Sequence, residues 1–220
     1  MKLPHVATVL LFLAVLAGPS QAQNWEPAIK AFEKRDAKVP PAENGVLFVG
    51  SSSIRFWNTD KDFPHLNVIN RGFGGSQTSD VLDYMDRIVI PYKPRVIVLY
   101  VGDNDIAAGK TPDEVVTDTK TFIERVQAEL PKSRIVYIAI KPSLARWNLI
   151  EPMRQANVQI EALADEIQNL DYVDVDAPML GEDGKPRAEL FVADGLHLSE
   201  AGYALWNDLV RPHVEDPAGE

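Results

Sequence analysis

The sequence predicts an α/β fold, a three-layer α/β/α sandwich around a parallel sheet. Short apolar runs alternate with helical patterns from residue 46 onward, and such alternation builds crossover units that lay helices on both faces of one sheet. The strongest runs, Arg95-Val96-Ile97-Val98-Leu99-Tyr100-Val101 and Arg134-Ile135-Val136-Tyr137-Ile138-Ala139-Ile140, are apolar almost without interruption. A strand with one wetted face would alternate with polar residues, so these belong to a sheet covered on both sides.

Taken in order, residues 24–36 read as an N-terminal helix packed across the sheet. Val46-Leu47-Phe48-Val49 is a strand that stops at Gly50. Asn67-Val68-Ile69-Asn70 and Tyr172-Val173-Asp174-Val175 are weaker strand candidates. Thr111-Pro112-Asp113-Glu114 offers an N-cap, a proline at the first helical position and a capping-box glutamate. Behind it, Val115, Val116, Thr119, Phe122, Ile123, Val126 and Leu130 recur at helical spacing. Residues 152–168 and 199–214 read as further helices.

The chain has 220 residues, enough for one well-packed domain and too few for two. Residues 1–22 stand apart. Lys2 precedes a twelve-residue apolar run from Val6 to Ala17, then Gly18 and Pro19 break it, and Ser20-Gln21-Ala22 suits a signal peptidase. The reading is a secretory signal peptide at 1–22 and a single domain at 23–220. A run of twelve residues is too short to anchor the chain across a bilayer. The mature protein is therefore expected to be secreted or periplasmic, with no stable membrane anchor.

Cysteine is absent, which excludes a disulfide framework, a thiol nucleophile, a thiolate zinc site and a lipidated N-terminal cysteine. The net charge is −10 at pH 7, or −11 once Lys2 leaves with the signal. Such a surface repels nucleic acid and anionic lipid, so neither is an expected partner. Oligomeric state is left open.

Four segments carry chemistry: Val49-Gly50-Ser51-Ser52, Asn70-Arg71-Gly72-Phe73-Gly74-Gly75, Gly102-Asp103-Asn104-Asp105 and Asp194-Gly195-Leu196-His197. Ser52, Gly75 and Asn104 all fall just past predicted strand ends, where α/β folds place ligands. Ser52 follows a turn glycine by two positions and is the candidate nucleophile, its own N–H free at a helix start. A simple helix cap is the bland alternative, and Ser51 and Ser53 are rivals that the spacing from Gly50 disfavours. The glycine-rich turn lacks both phosphate-binding patterns, Gly-x-x-x-x-Gly-Lys and Gly-x-Gly-x-x-Gly. It is either a structural turn or a close backbone approach with an N–H aimed at substrate. The Asn104 amide can donate to an oxyanion without adding charge. The rival is a cation site built from Asp103 and Asp105, but the calcium-loop spacing, glycine and closing glutamate are missing. Asp194 lies three residues before His197 across a glycine, close enough to set the imidazole's tautomer. His65 and His213 have no such company in sequence.

Together these segments resemble the conserved blocks of the SGNH hydrolases, the GDSL-like esterases and lipases, over residues 44–206. The resemblance implies a flavodoxin-like sandwich with a five-stranded parallel sheet. It implies a triad of Ser52, Asp194 and His197 and an oxyanion hole of Ser52, Gly75 and Asn104. Ser51 stands where the family usually has aspartate, and adjacent Gly74 could take the donor role from Gly75. The segments 48–57 and 72–76 look like the branch near platelet-activating-factor acetylhydrolases and bacterial acetylesterases. The α/β-hydrolases share the triad order but need Gly-x-Ser-x-Gly. Here Ile54 and Thr78 spoil that motif after Ser52 and Ser76.

The expected activity is an exported serine esterase for short-chain, acetyl-type esters on a small molecule or glycan, using no metal and no organic cofactor. Lysophospholipase or thioesterase activity is the alternative within the enzyme class, and a non-catalytic carbohydrate-binding protein the alternative outside it. Ser51, Gly74, Arg146 and Trp147 are candidates for substrate contact. With Lys141 and Ser143, the last two follow a strand end, where they line the pocket or, the preferred reading, form an exposed loop.

Overall fold

The computed structural model describes residues 24–215, so the predicted signal peptide lies outside the described residues. Its parallel sheet contains β1 (Val46–Gly50), β2 (Val68–Gly72), β3 (Val96–Tyr100), β4 (Arg134–Ile138) and β5 (Leu170–Val173), in the spatial order β2-β1-β3-β4-β5. The chain leaves β1 in one direction to form β2 and then returns to its other side for β3. That reversal opens a crevice at the carboxyl ends of β1 and β3, the switch point of a doubly wound sheet. In register, Gly50 at the end of β1 sits beside Gly72 of β2 and Tyr100 of β3.

The continuous apolar runs divide by parity, because successive side chains leave opposite faces of a strand. Leu47, Val49, Ile97, Leu99, Ile135 and Tyr137 join one buried cluster. It is covered by α1 (Glu26–Asp36), α4 (Thr78–Asp83), α5 (Met85–Ile88), α7 (Pro112–Glu129) and α8 (Ile150–Glu166). Val46, Phe48, Val98, Tyr100, Val136 and Ile138 join the other. The short helices α2 (Ser52–Arg55) and α3 (Thr59–Asp62) and the last helix, α9 (Glu200–Val214), lie on that side, where Ile54, Trp57, Phe63 and the fully buried Trp206 fill the core. One further helix, α6 (Asp103–Ala107), starts just past β3.

The capping box at α7 forms as predicted: Thr111 Oγ1 accepts the Glu114 N–H, and the Glu114 carboxylate accepts the Thr111 N–H. The helix α8 starts two residues before the predicted 152, with Pro152 in its first turn where no helical N–H is needed. The weakest strand moves most. β5 runs 170–173 instead of 172–175 because Leu170 and Val173 are the buried pair, and Asp174 turns back to accept the Asp176 N–H. Helices α3 to α6 were not foreseen. At four to six residues they are too short to display a 3.6-residue pattern.

Candidate active site

The candidate nucleophile's turn is built from its glycine upward. Gly50 has φ +137°, and a Cβ there would lie 2.0 Å from the Tyr100 carbonyl oxygen, so no other residue fits. Ser51 is extended and its N–H donates to that same oxygen at 3.1 Å. Ser52 then begins α2, half-buried, while its rivals Ser51 and Ser53 are buried. Asn70 ties this helix to β2: its Nδ2 donates to the carbonyls of Ile54 and Trp57, and its Oδ1 accepts the Gly72 N–H. Gly72 is a contact residue in the same sense, since a Cβ there would fall 2.2 Å from Arg55 N.

The candidate base comes from the loop before α9. His197 Nε2 lies 3.0 Å from Ser52 Oγ, and its Nδ1 lies 2.6 Å from Asp194 Oδ2. With Nδ1–H donating to the carboxylate, Nε2 is left as the acceptor that a serine proton requires. The other Asp194 oxygen, Oδ1, accepts the N–H groups of Leu196 and His197. The His197 hydrogen bond first, and these backbone donors next, pull the Asp194 carboxyl down to about 2. The loop is closed by a bridge between Phe191 and Leu198 and by Val192 N–H donating to the His197 carbonyl. The ring of Phe56 packs edge-on against the imidazole at 5.1 Å.

At the carboxyl ends of β1, β2 and β3 are groups that could hold a developing oxyanion. The N–H groups of Ser52, Gly74 and Gly75 have no acceptor among the described residues. Asn104, past the end of β3, donates one amide hydrogen from Nδ2 to the Ser76 carbonyl at 2.9 Å. Its Oδ1 accepts from Arg146 Nη1 at 3.1 Å. Arg146 can only donate, so the amide oxygen must face it and the second amide hydrogen is left over.

Behind Asn104 sits a charge cluster that sequence reasoning missed. Asp103 Oδ2 meets Lys141 Nζ at 2.9 Å and Asp103 Oδ1 meets Arg146 Nη1 at 2.7 Å. Burial alone would raise the Asp103 carboxyl, and the two cations outweigh it, holding it below the ordinary carboxylate range. Asp105, fully buried, is raised by desolvation against the pull of Lys110 and of the Thr78 N–H. The two aspartates considered as halves of a cation site thus each face cations of the protein itself.

Several expectations change here. Lys141, Ser143, Arg146 and Trp147 do not form the exposed loop preferred above, since the first two are each 1% exposed and the last two half-buried. Arg146 supports Asn104 and lines neither groove beside Ser52, and Trp147 instead meets Arg154 and Lys185 over its ring. Ser51, buried at the helix cap, is withdrawn as a substrate contact. Gly74 stays, because a Cβ on it would lie 3.7 Å from Ser52 Cβ. His213 does have a partner, Asp171 at 2.9 Å, but these residues stand at the start of β5 and the end of α9, with no serine.

Residues 57–205 match the GDSL-like lipase/acylhydrolase family. The match takes in Gly74, Gly75, Asn104 and the Asp194–His197 segment and begins five residues past Ser52. The human platelet-activating factor acetylhydrolase IB subunit alpha1 is 27% identical over 186 residues, covering 79% of each chain. Among solved structures, a GDSL-like lipase from Bacteroides thetaiotaomicron superposes with a TM-score of 0.74 at 21% identity, covering 84% of this chain and 96% of its own. A mutant acetyl-xylooligosaccharide esterase from Geobacillus Stearmophilus gives 0.66 at 16% identity, covering 82% and 98%. At those identities the structural likeness speaks for the fold alone, a flavodoxin-like sandwich around five parallel strands. The family match speaks for more, and on it the chain belongs to the GDSL-like lipase/acylhydrolase family and is a carboxylic ester hydrolase.

Proposed function

We propose that the protein is an exported serine esterase that removes short acyl groups, acetyl foremost, from an alcohol of carbohydrate type. The single observation that carries the catalytic part is the line Ser52 Oγ, His197 Nε2, His197 Nδ1, Asp194 Oδ2, with contacts of 3.0 and 2.6 Å. In this reading Ser52 Oγ attacks the ester carbonyl as His197 takes its proton, and Asp194 steadies the imidazolium that forms. The N–H groups of Ser52 and Gly75, with Gly74 beside them, and the spare amide hydrogen of Asn104 hold the oxyanion. His197 then hands its proton to the departing alcohol, and water, activated by the same imidazole, releases the acid from Ser52.

A fluorophosphonate probe tests the nucleophile. The label should map to Ser52 by peptide mass spectrometry and vanish in Ser52→Ala, with ester turnover falling by about 10,000-fold or more. A folded protein that takes no label would sink the reading.

A second reading has one observation in its favour. Phe56, Leu144 and Val192 are exposed apolar residues (53%, 43% and 46%) around the His197 loop, with Leu144 against Gly195 and Phe56 against the imidazole. That rim would suit a lipid-like ester of the lysophospholipid or thioester class. Turnover that falls as the acyl chain grows from two to eight carbons favours the acetylesterase, and a rise favours the lipid. Export rests on the 1–22 reading and is tested by sequencing the mature N-terminus, which should begin at Gln23.

A further inference from the structure

A groove of about 500 Å³ opens beside the catalytic serine, between α1 and the glycine-rich turn. Its apolar wall is aromatic: Trp25 and Phe73 meet edge to face at 5.4 Å, and Phe32 adjoins them. Its charged groups are Arg35 and Arg55, and no carboxylate lines it. This is a local reversal on a chain with net charge −10.

The reversal has a structural cause. The acidic groups of α1 are committed elsewhere, Asp36 to Arg71 and Glu26 and Glu33 to Arg87. Arg35 and Arg55 are exposed, and neither guanidinium has a carboxylate partner among the described residues. Their recorded contacts are with rings, Arg35 over Phe32 and Arg55 over Phe56, each at 5.4 Å from the ring centre. Arg55 is also close to the chemistry. A single point, where a Cβ on Gly74 would sit, lies 3.1 Å from Arg55 Nη1 and 3.7 Å from Ser52 Cβ. The groove on the other side of the site is of opposite character, with Asp62, Asp194 and Glu200 against Lys61.

We propose that this groove is the subsite for the alcohol part of the substrate and that the alcohol carries an anionic group, a carboxylate or a phosphate, held by Arg55 and Arg35. An acetyl group is too small to reach across a groove of this volume, which leaves the alcohol to fill it. Trp25, Phe32 and Phe73 are buried and supply an apolar floor, so recognition falls to the guanidiniums, each of which offers paired donors to a planar or tetrahedral anion. The inference rests on the esterase reading above, and its test separates the two.

The experiment compares three esters under steady-state conditions: acetylated methyl glucuronoside, its neutral uronamide isostere and an acetylated methyl glucoside phosphate. One or both anionic esters should exceed the amide in kcat/KM by about tenfold or more, the worth of one charge-assisted hydrogen bond. The ratio should shrink as salt is raised from 0.05 to 1 M. It should fall toward one in Arg55→Gln and in the Arg35→Gln/Arg55→Gln double variant. Lys34→Gln makes the same change of charge on α1 without lining the groove, and it should keep the ratio. Equal rates for all three esters overturn the subsite, as does a ratio that survives the double variant or collapses equally in Lys34→Gln. Whether carboxylate or phosphate gives the larger ratio identifies the anion. Fluorophosphonate labelling and turnover of 4-nitrophenyl acetate, run alongside, report on the esterase reading itself: if both are missing that reading fails, and if both are present while the ratio is one, only the subsite does.

Discussion

Two aspartates serve the site from different surroundings. The side chain of Asp194 is 47% exposed and holds His197, the proposed base, while that of Asp103 is 6% exposed and stands behind Asn104, the proposed oxyanion donor. Water can stand in for much of what Asp194 does to hold its loop, since among the described residues two backbone N–H groups and an imidazole are its only partners and the carboxylate is open to solvent. Nothing can stand in for Asp103, because Lys141 is 1% exposed and would be left charged without a counter-ion. The lesson is that the exposed pair is there for chemistry, which needs a proton to move, and the buried cluster is there for geometry, which needs Asn104 not to move.

The comparison can be broken at four places, in descending order of effect. Asp103→Asn should lower folding stability by about 3–5 kcal/mol, the usual cost of removing one partner of a buried ion pair. Urea denaturation measures it, and a loss below about 1 kcal/mol would mean that water reaches Lys141. Asn104→Ala should reduce kcat by about 100- to 1,000-fold with KM little changed, as for a lost oxyanion donor. Arg146→Met should lower kcat by about tenfold, again without moving KM, because the amide loses the partner that sets which end faces the serine. An increase in KM alone would return Arg146 to the role of a substrate contact.

The smallest effect is a titration. Asp194 is pulled from an ordinary 3.8 to about 2 by donors present only in the folded chain. Its contribution to stability is therefore complete above pH 3.8 and is lost as the pH falls from there through about 2. Carboxyl-carbon NMR should place its midpoint near 2 in the native protein. In His197→Ala the midpoint should move up toward 3.8, since the imidazole is the largest of its partners. A midpoint that stays put would mean that the backbone N–H groups alone hold the carboxylate.

What could be read from the sequence follows the same division. Ser52, Gly75, Asn104, Asp194 and His197 stand out in the sequence because each sits at a strand end or beside a turn glycine, and the backbone geometry of such places is written locally. The strands at 46, 95 and 134 are found because a sheet covered on both faces needs unbroken apolar runs. The salt cluster is invisible for the opposite reason. Asp103, Lys141 and Arg146 are up to 43 positions apart, and only the packing of β3 beside β4 brings their loops together. Lys141 and Arg146 in a loop look like exposed residues until the carboxylate that neutralises them is in view. Asn70 enters the sequence reading only as the first residue of the glycine-rich segment, whereas its side chain is the tie between α2 and β2.

Ser52 and His197 are 145 residues apart, and the imidazole is delivered by a short clamp between Phe191 and Leu198 that leads directly into α9. The far end of that helix is moored by Arg95 and Arg134, which donate to the carbonyls of Val214 and His213. Ribosomal synthesis makes Ser52 well before His197, and in refolding from denaturant the proposed triad can close only after α9 has docked. Recovery of esterase activity should therefore trail recovery of helical circular dichroism. In this molecule turnover is a clock for the final step of assembly, and a chain cut in a loop between residues 52 and 197 keeps its sheet-forming segments but cannot run until its two pieces find each other.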